Sequence, residues 1–189
     1  MLFRSDDLAY VELDNPPTLK LTLQKETDDF RFVPLPIASI PPAVKKLTCG
    51  LKIEKTDMTP YTKELKVELF TFASENDGDN YILLDRQERR LAFSEETGNV
   101  YEFMGKQVFL RTYLDGANYK RGERYCGRMI LVTDERGEII AQLVSNSWML
   151  EHLEFLRTFP VGRHFSDEGK RVHPPRAKLN SVHWGAGGG

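Results

Sequence analysis

Apolar and polar residues alternate in several short runs along the chain. In TLKLTLQK, Leu19, Leu21 and Leu23 alternate with polar residues, which is the period of a strand with one buried face. The runs TCGLKIEK and KQVFLRTYL alternate in the same way. These runs therefore predict half-buried β-strands. In KQVFLRTYL, one side carries Val108, Leu110 and Thr112, and the other carries Phe109, Arg111 and Tyr113.

The two most apolar runs, RMILVT and EIIAQLV, flank the turn DERG. Both are rich in β-branched residues, and Gly137 ends the turn, so they predict a central β-hairpin. In ELKVELFTFAS the apolar phase changes before Phe70 and Phe72, which indicates a bulge or a strand that crosses between sheets. We interpret DRQERR and DGANYKRGERYCG as charged or glycine-containing loops.

One helix is predicted near the C-terminal end. SNSWMLEHLEFLRTF has Ser145 or Ser147 as a possible N-cap, an apolar side with Met149 and Leu153, and Pro160 as its end. In the competing interpretation, SWML continues as a last strand before a short helical turn. Residues 33–42, VPLPIASIPP, contain too many prolines for a central strand. They indicate an extended crossover, or a proline-rich ligand for an aromatic groove.

About seven to nine short strands separated by turn signals are typical of a sandwich. The sequence therefore predicts an all-β, immunoglobulin-like (Rel/p53-like) antiparallel β-sandwich with one short C-terminal helix. A length of 189 residues suits one domain with extensions. We assign residues 1–15 to an N-terminal extension, 16–175 to the sandwich and 176–189 to a flexible tail.

Charge is distributed in blocks, although the net charge is only −2. Residues 1–105 carry 13 basic and 19 acidic residues (−6), and residues 129–156 carry 1 and 5 (−4). Residues 106–128 carry 6 and 2 (+4), as do residues 157–189 (+4). Two basic blocks thus flank the apolar hairpin, and clustered positive charge is the electrostatic signature of phosphate binding.

Motifs of catalysis are missing, so we expect no enzyme and no cofactor. The sequence has no GxSxG, Walker, GxGxxG, HExxH or paired CxxC motif. Cys49 and Cys126 are expected to be free thiols in a reducing compartment, with a single disulfide as the alternative. Neither NDGDN nor the cluster from His164 to His173 has the spacing of a calcium or zinc site, so no metal is expected. An enzyme would need a deep pocket that brings Cys126 to a histidine.

The two basic blocks contain the candidate ligand-binding residues. In GANYKRGERYCGR, cations are interleaved with Tyr119 and Tyr125, a mixture that binds phosphate and stacks on bases. The alternative for either block is a solvated charged loop that balances the acidic first half. The phosphate-contacting candidates are Lys120, Arg121, Arg124, Arg128, Lys170, Arg171 and Arg176.

Residues 105–173 resemble parts of two related families. GRMILVTDERGEIIAQLVSNSWML resembles the closing hairpin of Rel-like and p53-like transcription factors, and FPVGRHFSDEGKRV is similar to the end of the fungal velvet domain. The chain lacks the basic partner of a velvet proline-rich segment, and residues 1–60 lack an arginine-rich recognition loop or zinc cluster. On this resemblance, Phe159, Pro160 and Gly162 match a turn, Phe165 a short helix, and Gly169, Lys170 and Arg171 a basic exit.

The resemblance implies a nuclear, DNA-binding sandwich that acts as a dimer. Our first hypothesis is therefore an intracellular transcriptional regulator that contacts the phosphates of double-stranded DNA through basic loops, as a homo- or heterodimer. The second is a non-catalytic protein-interaction module, which would use its strand edges or LPIASIPP. Neither hypothesis involves a small-molecule substrate or a membrane, since no signal peptide or ~20-residue apolar span is visible.

Overall fold

The computed structural model describes residues 16–31, 43–76, 78–94, 96–114 and 120–173, with the backbone alone for 25–31, 114 and 120. The predicted N-terminal extension, the proline-rich segment 33–42 and the predicted tail lie outside the described residues.

The described chain forms ten strands and two short helices. The strands of the first half are β1 (Leu19–Arg31), β2 (Ala43–Lys55), β3 (Leu65–Glu75), β4 (Tyr81–Leu91), β5 (Val100–Met104) and β6 (Val108–Leu114). The remaining elements are β7 (Lys120–Thr133), β8 (Ile139–Val144), α1 (Trp148–Glu151), α2 (Leu153–Thr158), β9 (His164–Phe165) and β10 (Arg171–Val172).

All strand pairs between these elements are antiparallel, and they form two sheets that share β7. In the first sheet, β2 lies between β1 and the edge formed by β5 and β6, and β6 pairs with the first residues of β7. In the second, the order is β8, β7, β3, β4, β9, β10. Because β1 also lies close to β8, the two sheets enclose one core. The predicted all-β antiparallel sandwich is confirmed.

The alternating residues of the strands supply the core between the sheets. Leu51 and Ile53 of β2 pack with Val67 of β3 and with Ile130 and Val132 of β7, and all five are at most 2% exposed. The leucines of β1 pack against this cluster from the sheet edge. The prediction for TLKLTLQK is therefore confirmed.

The predicted bulge or sheet crossing of β3 is wrong, because β3 alternates regularly within one sheet and the residues skipped in its pairing are Leu84 of β4 and Cys126 of β7. The register with β4 shifts between Thr71 and Phe72, and the register with β7 shifts one residue later. Phe70 and Phe72 face away from the sandwich interior, where Trp148 and Phe165 cover them. The second sheet therefore has a core on each side, with the two short helices on its outer face.

Two segments interpreted as loops are strands. DRQERR lies within β4, and KRGERYCGR lies within β7. In β4, Asp85 points inward and is 6% exposed, while Arg86, Arg89 and Arg90 are exposed. Polar composition alone does not exclude a strand whose outer face is solvated, and this is why the interpretation was wrong.

The C-terminal region contains two short helices rather than the one predicted. His152 separates α1 from α2, with φ −107° and ψ 20°, and Ser147 makes no side-chain capping bond. The predicted end is confirmed, because Phe159 before Pro160 is extended, as a residue before proline prefers. Phe165 lies in β9. The helix that the velvet resemblance implied there is a strand.

Charged side chains fasten α2 to the second sheet. Arg157 donates to both carboxylate oxygens of Glu68, at 3.1 and 2.7 Å, and these bonds raise the pKa of Arg157. Arg86 donates to the carbonyls of Leu156 and Phe159 at the end of the helix, where the backbone carries unpaired acceptors. Glu68, Arg86 and Arg157 line a cleft of about 300 Å³. Their charged groups are already hydrogen-bonded within the protein.

We expect Gly122→Ala to destabilise the protein, because β7 crosses from one sheet to the other near this residue. Gly122 has φ +101°, and a Cβ would lie 2.0 Å from the Arg111 carbonyl oxygen. Urea unfolding should show a loss of about 2 kcal/mol or more. Gly137→Ala is the matched control, since its φ is +84° with no atom within 4 Å of the Cβ; a loss of about 1 kcal/mol is expected from backbone strain alone. Equal losses would contradict the close crossing.

Candidate nucleic-acid interface

The residues predicted to contact phosphates lie on both sheets. The first of them, Lys120 and Arg121, pair with Leu114 and Tyr113 of β6 in the first sheet. Arg124 lies in the second sheet, is exposed, and donates through Nε to Ser74 Oγ at 2.9 Å. Lys170 is exposed beside Glu168, with 2.6 Å between Nζ and Oε2. Arg176 lies outside the described residues.

Arg128 is in the core, so its assignment as a phosphate contact is corrected. It is 1% exposed, and its guanidinium lies over the Tyr125 ring, 5.5 Å from the centroid. Within the part of the chain that the structure describes, Nε and Nη1 have no hydrogen-bond acceptor. Burial lowers the pKa of Arg128 to about 10. A strand side chain that faces the sandwich interior cannot reach a duplex.

Within the described residues, the two basic blocks do not meet. Arg124 and Arg171 lie in one row across the second sheet, through Ser74, Tyr81 and Phe165. Four strand spacings separate them, about 19 Å, and Trp148 lies over the middle of the row, 4.5 Å from Tyr81 between ring centroids. Arg121 belongs to the other sheet. The predicted residues therefore form scattered positions rather than one surface.

The outer face of the first sheet brings cations and exposed aromatic rings together. Phe109 and Tyr113 of β6 are 51% and 49% exposed, although residues of this size usually bury most of their surface. Arg111 lies between them on the same side of the strand and is exposed. Lys46 is in register with Phe109, and Arg121 is in register with Tyr113. We call these five residues the basic aromatic face.

The alternation of β6 explains why these side chains face solvent. Val108 and Leu110 are 8% and 3% exposed and pack into the interior. The residues between them must then point outward, since successive side chains of a strand alternate. In β2, Leu47 is buried and Lys46 is partly exposed opposite Phe109, but Val44, in register with Arg111, is only 4% exposed.

Positive charge predominates at the centre of this face. The side chains of Lys46 and Arg111 form no ion pair within the described residues, but the Arg111 backbone N–H donates to Glu123 Oε2 at 3.3 Å, so one carboxylate lies beside Arg111. Asp28 of β1 is in register with Lys46, so an acidic residue borders the face on one strand. Lys52 and Glu102 form a 3.9 Å pair farther along the sheet. Among the described residues, the centre therefore presents two unpaired cations beside two half-exposed rings.

Such a face is suited to an extended polyanion with planar groups. Exposed aromatic rings on a sheet stack on nucleic-acid bases whatever their identity, and lysine and arginine side chains contact the phosphates. Four residues separate the two rings along β6, a distance of about 13 Å. The signal was present in the sequence, because the alternation of KQVFLRTYL places both rings opposite the apolar side. The number of cations in GANYKRGERYCGR favoured that neighbouring segment as the predicted site instead.

Other chemistry that the sequence suggested is not assembled. Cys49 and Cys126 are free thiols rather than the disulfide of the alternative interpretation. Burial raises the pKa of Cys126, although Arg124 opposes the shift, so its thiolate is disfavoured. Within the described residues no group of three histidine, cysteine or acidic side chains is arranged to hold a metal ion. No helix in the same ranges has the length and apolar character to cross a membrane.

Comparisons with known proteins leave the chain without a family assignment. No family model matches it, and no curated protein matches it. A crystal structure of a protein from Akkermansia muciniphila is 16% identical and covers 70% of this chain and 74% of its own. The TM-score is 0.28, so this similarity carries no argument about function. The velvet and Rel/p53 resemblance stays a prediction.

Proposed function

We propose that this protein is a non-catalytic nucleic-acid-binding β-sandwich that holds a single-stranded segment on its basic aromatic face. The observation that supports the proposal is the pair of half-exposed rings, Phe109 and Tyr113, with Arg111 between them. Unstacked bases can lie on such rings, whereas the paired bases of a duplex cannot. A regulatory role on DNA, in a nucleus and as a dimer, is the wider context that the family resemblance implies.

This proposal replaces phosphate contacts through basic loops. The segment from Lys120 to Arg128 is a strand, and Arg128 is buried. The outer face of the second sheet is covered by α1 and α2 around Phe70 and Phe72. Of the candidates predicted from the sequence, Arg121 lies on the basic aromatic face.

We expect a Phe109→Ala, Tyr113→Ala double variant to bind a labelled single strand of about 12 nucleotides at least tenfold more weakly, because each stacked ring contributes about 1–3 kcal/mol. Fluorescence anisotropy at low salt measures the affinity. Met58→Ala is the control, since Met58 is 91% exposed and lies outside the strands. Wild-type protein that binds neither single strand nor duplex at low salt would refute the proposed function.

The charges are tested separately by salt dependence. Removing Lys46 and Arg111 should lower the slope of log affinity against log salt by about 0.7 for each phosphate that the protein no longer neutralises. The variant Lys170→Ala, Arg171→Ala removes the same charge from the second sheet and should leave the slope unchanged. A slope that responds only to the second variant would place the ligand on the other sheet.

A protein-interaction module is the alternative, because exposed rings also mark protein interfaces. In that case the size of the protein in solution would depend on its concentration. The double ring variant would remove this dependence, and the charge variant at Lys46 and Arg111 would not change it.

A further inference from the structure

A cleft of about 180 Å³ opens over Gly50 on the outer face of the first sheet. Gln24 of β1 and Met104 of β5 are in register with Gly50 on its two sides. A Cβ at this position would lie 2.9 Å from Met104 Sδ and 3.4 Å from Gln24 Oε1. Gly50 lines the cleft together with Gln24 and Met104, whose side chains already lie at contact distance from the place of the missing Cβ.

The cleft is continuous with the basic aromatic face. Gly50 and Lys46 lie on the same side of β2, four residues apart, which is about 13 Å along the strand. Strands β5 and β6 both pair with the same edge of β2. Gly105 lies between them and continues this pairing, since its N–H donates to the Cys49 carbonyl at 2.6 Å. A single nucleic-acid strand bound across Phe109 and along this edge of β2 would therefore reach Met104.

The walls carry the groups that recognise a base. Gln24 is exposed, and its amide both donates and accepts hydrogen bonds. This pattern matches the N6 and N7 edge of adenine. Met104 is 52% exposed, and a thioether packs favourably against an aromatic ring. Lys52 and Glu102 form a 3.9 Å ion pair at the rim, so together they add no net charge.

We propose that the cleft over Gly50 is a subsite for one nucleobase, with adenine preferred, of the strand held on the basic aromatic face. This inference rests on the proposed function and deepens it, because the two rings alone would bind every base. Preference would arise at one position, where the Gln24 amide meets the base edge and Met104 covers the ring.

The test compares labelled oligo(dA), oligo(dT) and oligo(dC) of about eight nucleotides by anisotropy at fixed salt. Wild-type protein should bind oligo(dA) about tenfold more tightly than the other two, as expected for one amide pair with a base edge. Gly50→Val displaces Met104 Sδ, which would lie 2.9 Å from the new Cβ, and needs no left-handed backbone because Gly50 has no positive φ; it should reduce the preference to less than twofold. Gln24→Leu should do the same.

Thr22→Val is the control, because Thr22 is also exposed on β1 but lies in register with Lys52, one step from the cleft. It should keep the preference. Equal wild-type affinity for the three oligonucleotides, or a preference that survives both Gly50→Val and Gln24→Leu, would overturn the subsite while the proposed function stands. Wild-type protein that binds none of them would overturn the proposed function, and the subsite with it. Titration of adenosine monophosphate followed by amide NMR gives an independent readout, since shifts should centre on Gln24 and Gly50.

Discussion

Arg128→Met should raise the free energy of unfolding by about 1–4 kcal/mol, the range found when buried charges are replaced by apolar residues of similar volume. Arg128 is 1% exposed, and its Nε and Nη1 lack acceptors among the described residues. Burial lowers its pKa to about 10, so the folded protein disfavours the charged guanidinium. Urea unfolding followed by circular dichroism measures the change.

The pH dependence of this gain follows from the sign of the shift. Burial lowers the pKa of a base, so folding disfavours the protonated guanidinium, and the penalty is fully present below a pH of about 10. It declines as the pH rises above that value. We therefore expect the gain of Arg128→Met to be the same at about pH 6 and about pH 9.

Arg124→Met is the matched control for Arg128→Met. Arg124 is an exposed arginine four residues earlier in the same strand, so its replacement should change stability by no more than about 0.5 kcal/mol. A loss of more than about 2 kcal/mol on Arg128→Met would contradict the prediction, because such a loss follows when a satisfied buried charge is removed.

Arg128 also shows where prediction from the sequence ended. Hydrophobic periodicity predicted β1 and the hairpin of β7 and β8, because the burial of alternate residues is visible in the sequence itself. It could not show that a cation takes an interior position, since charge normally indicates solvent. The same assumption explains why DRQERR of β4 was interpreted as a loop.

The candidate interface was missed for a related reason. Single cations in KRGER are conspicuous in the sequence, but a binding surface depends on which strands lie side by side. Lys46 and Phe109 are 63 positions apart in number and meet only through the pairing of β2 with β6. Long-range register of this kind is not determined by local patterns. The sequence identifies Arg121 as a phosphate-contacting candidate. Its neighbour Tyr113 is visible there only as one residue of the alternating run KQVFLRTYL.

Phe165→Ala should lower the free energy of unfolding by about 3–5 kcal/mol, as for other fully buried phenylalanines. Phe165 is 0% exposed although it lies in a strand of two residues. Its ring lies 5.3 Å from Phe159, 5.9 Å from Trp148 and 6.2 Å from Phe72 between centroids. It therefore joins β9, both helices and β3 in one aromatic cluster, which urea unfolding with Trp148 fluorescence should report.

Two variants make this prediction specific to packing. Phe165→Leu keeps most of the apolar volume and should lose less, about 1–2 kcal/mol. Val161→Ala shortens a 47% exposed side chain in the preceding turn and should change stability by no more than about 0.5 kcal/mol. If Phe165→Ala lost less than about 1 kcal/mol, β9 and β10 would not be docked in the native state. The outer core of the second sheet would then end at Phe72 and α2, and that sheet would offer a further exposed aromatic surface beside Arg124.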